Sequence, residues 1–392
     1  MVRGRTGQVR TISSAGGEIA QAFVPAQLPP NPALVAEGEL QETIDLALVA
    51  IGRLDSVSTL LPDTHLFLYT YVRQEAVLSS QIEGTQSTLS DLLLFELDET
   101  PGVPMDDVIE VSNYVAALEH GLKRVREGFP ISNRLIREIH TILLGRGRGA
   151  DKQPGEFRTS QNWVGGTRPG NATFVPPPPQ DVPDCMAHLE RFIHNEPVRT
   201  PPFTKAALVH VQFETIHPFL DGNGRVGRLL ITLLLCVAGL LQEPLLYLSL
   251  YLRQHRDEYY DLLNVVRKEG DWERWLAFFA RAVRETAATA VATAGKLVAT
   301  FQEDGHRIRG IGRGAGSALR VHHELQRRPL GSIASLARGT GLTVPTVTAA
   351  LDNLRELAIV REATGRRRNR IFVYSRYLDT LNERTVPASQ PV

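Results

Sequence analysis

Cysteine is almost missing: 392 residues contain only Cys185 and Cys236. Both sit in helix-like apolar or amphipathic stretches, which argues against a disulfide scaffold or a zinc site and for reduced thiols. Net charge is also missing, because 43 basic residues balance 43 acidic ones. No global field therefore draws the chain to nucleic acid or to a membrane. Long hydrophobic runs are lacking as well. The longest, Leu229 to Leu241, falls short of the roughly 20 residues a bilayer span needs, so it reads as a buried core helix and no membrane partner is expected. The N-terminus has no hydrophobic signal segment, and with reduced thiols this makes the cytoplasm the expected compartment. No tandem repeat is visible.

What is present is helical periodicity over a length that suits two or three domains. Residues 1–20, polar and glycine-bearing, read as a mobile segment, and Pro25 to Pro32 as an extended arm. Helical patterns follow at about 34–61, 66–78 and 89–96, with a turn expected at Thr100-Pro101-Gly102 and Pro104. Further helices are expected near 107–126, 133–144, 184–194 and 204–216, and on to about residue 300. Between Pro154 and Pro179, two β-rich runs around Gly, Pro and Asn turns read as a hairpin. The expected fold class is mainly α, a helical core with one β-hairpin and a small C-terminal domain. The expected divisions are 1–105, a core at 106–300, a linker at 301–316 and a domain at 317–392.

The last domain reads as Ala318–Arg327, then Ser332–Arg338 and Val344–Leu357 as a helix–turn–helix about Gly339-Thr340-Gly341. Ile359 to Glu362 and Arg370 to Tyr374, joined through Thr364-Gly365, read as a two-stranded wing crowded by Arg366, Arg367, Arg368 and Arg370. This looks like a winged helix. As a DNA reader it would turn Thr343, Thr346 and Thr348 to the major groove and the wing arginines to phosphates, placing DNA on residues 343–370. The alternative use of such a domain is packing or protein contact.

The densest chemistry lies in His217-Pro218-Phe219-Leu220-Asp221-Gly222-Asn223-Gly224-Arg225-Val226-Gly227-Arg228. The glycines let the backbone curl and aim successive N–H groups at one point. An apolar run follows directly, so the loop opens a buried helix whose N-terminus favours an anion. Arg225 and Arg228 share a face of its first turn and carry guanidinium forks suited to phosphate. Asp221 is a hard oxygen ligand apt for Mg²⁺, and His217 is the residue type that accepts a proton near neutral pH. Gln212, five residues before His217, is a candidate to face the nucleotide. Gln254 and Tyr260 lie on a later helix that ends at Gly270 and are further candidates, the tyrosine by stacking on a base.

This loop resembles the signature of the Fic family, His-x-Phe-x-(Asp/Glu)-Gly-Asn-Gly-Arg-x-x-Arg, at every fixed position. The resemblance covers roughly residues 60–285. It implies a Fic-type helical core and a protein adenylyltransferase, which moves AMP from ATP onto a Ser, Thr or Tyr hydroxyl of a protein. Residue by residue it implies His217 as the base and Asp221 as the holder of Mg²⁺. The amides of Gly222, Asn223 and Gly224 become an anion hole, with Arg225 on the β-phosphate and Arg228 on the γ-phosphate. The hairpin becomes a flap that clamps a protein substrate by strand addition through residues 157–164. Self-modification and a homodimer belong to the same expectation.

Upstream, Ser79 and Glu83 are four apart on one helical face, and Gly84 suits the helix end. Ser-x-x-x-Glu-Gly resembles the family's inhibitory motif, in its form with the inhibitory helix in the same chain. By that resemblance Glu83 pairs with Arg228 and blocks the γ-phosphate. Two other readings stay open. The same site could remove AMP from a modified protein, with Glu83 aligning a water. Alternatively the chain is a winged-helix regulator whose helical body senses nucleotide, although a pure sensor needs the anion hole and no base.

Overall fold

The computed structural model describes residues 3–13, 18–60, 65–97, 103–365 and 370–383. The expected turn at 100–102 and Arg366, Arg367 and Arg368 lie outside the described residues. Helices dominate the rest, as the mainly α class requires.

The chain begins with an antiparallel hairpin, β1 (Gly7–Ser13) and β2 (Ile19–Pro25), paired from Gly7 with Pro25 to Ser13 with Ile19. This corrects the reading of residues 1–20 as mobile. β1 shows most of its side chains to solvent, so no apolar alternation marks it in the sequence, and backbone pairing and docking hold it instead. The Phe23 amide donates to the Val175 carbonyl at 2.9 Å and the Thr6 amide to the Arg267 carbonyl at 3.1 Å. Arg3 meets Glu273 at 2.6 Å.

The body follows as α1 (Glu39–Leu60), α2 (His65–Ile82), α3 (Leu89–Phe95), α4 (Met105–Arg126), α5 (Asn133–Leu143) and α6 (Val182–Ile193). Next come α7 (Pro202–Ile216), α8 (Asn223–Val237), α9 (Ser249–Gln254), α10 (Arg256–Glu269) and α11 (Trp272–Arg309). The paired helices α7 and α8 form the centre. α7 is buried from Lys205 to Ile216 and α8 from Arg225 to Leu235, the signature of helices covered all round. The other helices wrap this pair, with α4 and α2 packed against α8. α9 and α10 are two helices, not the single later helix of the sequence reading, because the chain bends at His255.

The expected hairpin at 155–176 reduces to a single bridge, Val164 with Phe174, and a short 3-10 turn at Pro169–Asn171. Side chains brace this segment more than strand pairing does. Gln161 donates to the Pro176 carbonyl at 3.0 Å and Asn162 to the Phe219 carbonyl at 2.8 Å.

α11 runs for 38 residues, roughly 57 Å of axis at 1.5 Å per residue. Residues 301–309 are therefore its last turns, which corrects their assignment to a linker. The C-terminal unit follows as α12 (Ala315–Arg327), β3 (Leu330–Ser332), α13 (Ile333–Thr340), α14 (Val344–Glu356), β4 (Val360–Glu362), β5 (Ile371–Tyr374) and α15 (Ser375–Asn382). Its strands form an antiparallel sheet in the order β3-β5-β4. β3 and α15 are additions to the sequence reading. The unit is tied to α11 by Asp304, fully buried, which accepts from Tyr374 at 2.7 Å and pairs with Arg376 at 2.8 Å. No described helix is long and apolar enough to cross a membrane.

Candidate active site

α7 ends where His217 turns into the left-handed region, φ 49° and ψ 60°. For a residue with a Cβ this costs on the order of 1 kcal/mol, so the surroundings must hold it. Phe219 anchors the turn that follows. It is fully buried and stacks on the His140 ring at 3.7 Å and 6°. Asn223 closes the loop on itself. Its Oδ1 accepts from the Phe219 amide at 2.9 Å and its Nδ2 donates to the Phe219 carbonyl at 2.9 Å. His140 adds a second brace. Its Nδ1 accepts from the Gly155 amide at 2.8 Å, which leaves Nε2 to donate to the Asp221 carbonyl at 3.0 Å. Burial pushes His140 down to about 4, so this neutral tautomer persists at neutral pH.

Gly222 caps α8 with φ +77° and supplies no capping side chain. The first-turn amides of Asn223, Gly224 and Arg225 therefore lack both a helical carbonyl and a side-chain cap, the arrangement that receives an anion. A carboxylate occupies this end of the helix. A Cβ on Gly224 would collide with Glu83 Oε1 and stand 3.0 Å from Arg228 Nη1. Gly224 is thus needed for close approach, Gly222 for its backbone angle.

Arg228 is 3% exposed and its fork is filled from α2. Nε donates to Ser79 Oγ at 2.8 Å, and Nη2 to the Ser79 carbonyl at 3.0 Å and to Glu83 Oε1 at 2.6 Å. Burial pushes the Glu83 carboxyl up, but Arg228 outweighs it and the group is held below its ordinary range. Glu83 follows the last residue of α2, and Gly84 turns the chain there at φ +103°. Ser79 and Glu83 therefore meet at Arg228, with Gly84 directly after Glu83 in the chain.

Comparison with known proteins matches two stretches. Residues 41–123 match the Fic/DOC family N-terminal model and residues 130–235 the Fic/DOC family model. These two stretches belong to the Fic/DOC family. Protein adenylyltransferase Fic of Drosophila erecta is 32% identical over 209 residues and that of Aedes aegypti 35% over 210. Each match covers 52% of this chain and spans only 39% of the relative's own length. In fold the chain is similar to a Fic family protein from Desulfovibrio desulfuricans, with a TM-score of 0.56 at 22% identity, over 88% of this chain and 98% of that one. A Fic domain-containing signaling protein from Bacteroides thetaiotaomicron gives 0.51 at 21%, over 64% and 95%.

The remaining candidates divide. His217 is partly open, 20% by side chain, and its buried Nδ1 lies 3.9 Å from Glu214 Oε2. Burial, then the cations Arg267 and Arg158, push it down to about 4, so the ring is neutral at pH 7. Asp221 leaves 38% of its side chain open and accepts from the Gly222 amide at 2.5 Å. Among the described residues no cluster of three or more His, Cys, Asp or Glu side chains could hold a metal. A single open carboxylate still fits Mg²⁺, which takes one or two protein oxygens and fills its shell with phosphate and water. Arg225 is less open than expected: Nη1 meets Glu110 at 2.7 Å and Nη2 meets Asp221 at 3.3 Å. Tyr260 is half-buried, and the charges of Glu83 and Arg228 both reach it. Gln254 stands exposed at the end of α9. Gln212 corrects the expectation that it faces nucleotide, because its amide donates to the Ala26 carbonyl at 2.8 Å and ties down the N-terminal arm. In the stretch expected to act as a flap, Thr159, Ser160 and Trp163 face solvent, whereas Arg158 is buried.

Sequence reasoning missed Glu110, Arg158, Glu214 and His140. Only Glu214 carried a signal, three residues before His217 on the same helix. Burial raises it to about 7, and its Oε1 is buried without a hydrogen-bond partner.

Proposed function

We propose that this chain is a protein adenylyltransferase held in check by its own Glu83. The observation that carries the reading is the meeting, at one helix N-terminus, of uncapped amides, a neutral imidazole and an arginine whose fork is filled by Ser79 and Glu83. The amides of Asn223 and Gly224 receive the phosphates. His217, through Nε2, takes the proton of a protein Ser, Thr or Tyr hydroxyl as its oxygen attacks the α-phosphorus. The bond from that phosphorus to the β-phosphate oxygen breaks, and pyrophosphate leaves. Arg228 is the γ-phosphate partner once Glu83 moves aside, and Arg225 serves the β-phosphate from its pairs with Glu110 and Asp221. Asp221 would hold Mg²⁺, which when bound would supply charge neutralisation to the nucleotide's phosphates.

The finer parts of the reading are a protein target laid along 157–164, self-modification, a cytoplasmic setting and a homodimer. The C-terminal unit is read as a winged helix. Its helix–strand–helix–helix–strand–strand order supports that, and Thr343, Thr346, Thr348 and Arg370 are its DNA-facing candidates.

The test is incubation of Glu83→Gly and of Glu83→Gly/His217→Ala with labelled ATP and Mg²⁺ in a cell extract. Labelling above wild type by the single variant and none by the double variant is expected. Labelling by Glu83→Gly no stronger than wild type removes the restraint, and labelling by the double variant removes His217. The reverse reaction, removal of AMP, is the second reading. It is favoured by the partial exposure of Glu83, 35% by side chain, within the anion site. Release of AMP from a modified protein by wild type but not by Glu83→Gly would select it.

A further inference from the structure

Arg158 sits in the flap stretch, yet its side chain turns inward and is 2% exposed. Its guanidinium is satisfied by carbonyls alone. Nε donates to His217 at 2.9 Å and Nη2 to Pro177 at 2.6 Å, with longer contacts of 3.4 Å to Ser160 and Ile216. The Arg158 amide also donates to the Pro218 carbonyl at 2.9 Å. No carboxylate is among these partners. A buried cation without an anion is an expensive arrangement, since burial lowers its own proton affinity to about 10. A lysine could not reach as many carbonyls, because only guanidinium carries a rigid fork of donors. The residue it grips is the one non-glycine of the loop that holds a left-handed backbone.

We infer that Arg158 is a positioning residue for His217: it pins the strained His217–Pro218 peptide to the flap and so aims the imidazole. The inference rests on the adenylyltransferase reading for its rate consequences but not for its geometry. Four charged or titratable groups act on His217: Arg158 from the flap, Arg267 from α10, Glu214 from α7 and Glu83 beyond α2. Arg158 and Arg267 disfavour the imidazolium, whereas the Glu214 backbone carbonyl and the Glu83 carboxylate favour it. Removing the Arg158 charge therefore raises the pH at which His217 gains its proton, while a lysine preserves most of that effect and loses the aim.

The test has two arms on the full chain. In the first, the imidazole C–H signals are followed by NMR against pH in wild type, Arg158→Lys and Arg158→Met, with His217 assigned from its loss in His217→Ala. The His217 midpoint should rise by about half a unit or more in the methionine variant and stay near wild type in the lysine variant. Its chemical shift at neutral pH should move in both. In the second arm, each substitution is placed on Glu83→Gly. Both should lower kcat for labelling by about tenfold or more while KM for ATP stays within about twofold, the pattern of a lost aim rather than lost binding. If the methionine variant fails to fold, the lysine variant carries both arms. An unmoved His217 signal in Arg158→Lys overturns the inference whether or not Glu83→Gly labels anything. Absence of labelling by Glu83→Gly, with the NMR shifts present, overturns the adenylyltransferase reading and leaves the positioning role standing.

Discussion

Replacing Glu83 by Gln keeps the side chain's shape and removes its charge, which isolates the electrostatic part of the proposed restraint. Arg228 Nη2 meets Glu83 Oε1 at 2.6 Å. At an effective dielectric near 20, charges about 4 Å apart attract by roughly 4 kcal/mol. Glu83 leaves 35% of its side chain open to water, and screening with side-chain entropy reduces the net to on the order of 1–2 kcal/mol. A γ-phosphate that must displace this carboxylate forfeits that amount, equivalent to about fivefold to thirtyfold in affinity. AMP has no γ-phosphate and does not compete for Arg228. Calorimetric titration of wild type and Glu83→Gln with ATP–Mg²⁺ and with AMP separates the two cases. ATP should bind the variant about fivefold to thirtyfold more tightly, and AMP should bind both within about twofold. Equal ATP affinities would refute the competition, and a parallel gain for AMP would show a loosened site instead. Acid does not mimic the substitution. The Glu83 carboxyl is held below its ordinary range, so the pair's contribution is complete above the unfolded value and fades only as pH falls through the folded one. From about pH 8 to about pH 5 the restraint should be constant.

Replacing His140 by Ala leaves the Asp221 carbonyl and the Gly155 amide without their partner and removes the stack on Phe219. A loss of about 2–4 kcal/mol follows, read by calorimetry as a Tm several degrees lower, together with weaker ATP binding. An unchanged Tm would deny the brace. Stability should also depend on pH. His140, His217 and His322 are pushed to about 4 and His210 to about 3, so on unfolding they take up protons below about 6.5. Glu75 and Glu214, raised to about 7, act in the opposite sense by releasing protons on unfolding between about 4.5 and 7. The histidines outnumber the glutamates, so denaturation midpoints should fall as pH drops from about 6.5 to about 5, by up to about 2 kcal/mol per pH unit. A midpoint that rises over that window would show these histidines to be charged in the folded chain.

The loop from His217 to Arg228 was legible because its chemistry is contiguous: the turn, the uncapped amides and both arginines lie within twelve residues. Ser79 and Glu83 were legible for a related reason, since four residues of spacing places both on one side of a helix. Their meeting with Arg228 needed the fold, because 145 residues separate Glu83 from it. Glu110 was illegible from either end. It is one acidic residue in a helix rich in charge, and only the packing of α4 on α8 makes it the partner of Arg225. Arg158 was hidden by its setting, a loop whose polar composition predicts exposure. Gln212 misled for the opposite reason: proximity in sequence to His217 does not fix which side of a buried helix a residue occupies, and it faces the arm at Ala26.

The way the proposed restraint would yield follows from how α2 is fastened. Toward its middle, buried Glu75 accepts from the amide and hydroxyl of Ser249, and near its end Gln81 pairs with Arg253. At the other end Thr70 and Tyr377, both fully buried, bring their hydroxyls to 3.1 Å, so the C-terminal unit also grips the helix. Ser79 is fully buried as well. Displacing the whole helix would break all of these contacts together, several kcal/mol in sum. Glu83 differs, because it stands beyond the last helical residue with an open side chain and only the Arg228 bond to lose. Under the proposed restraint, relief should therefore be a rotation of one side chain at a fixed helix end. It leaves Ser79 on Arg228 and exposes only the part of the fork that faces the incoming phosphate.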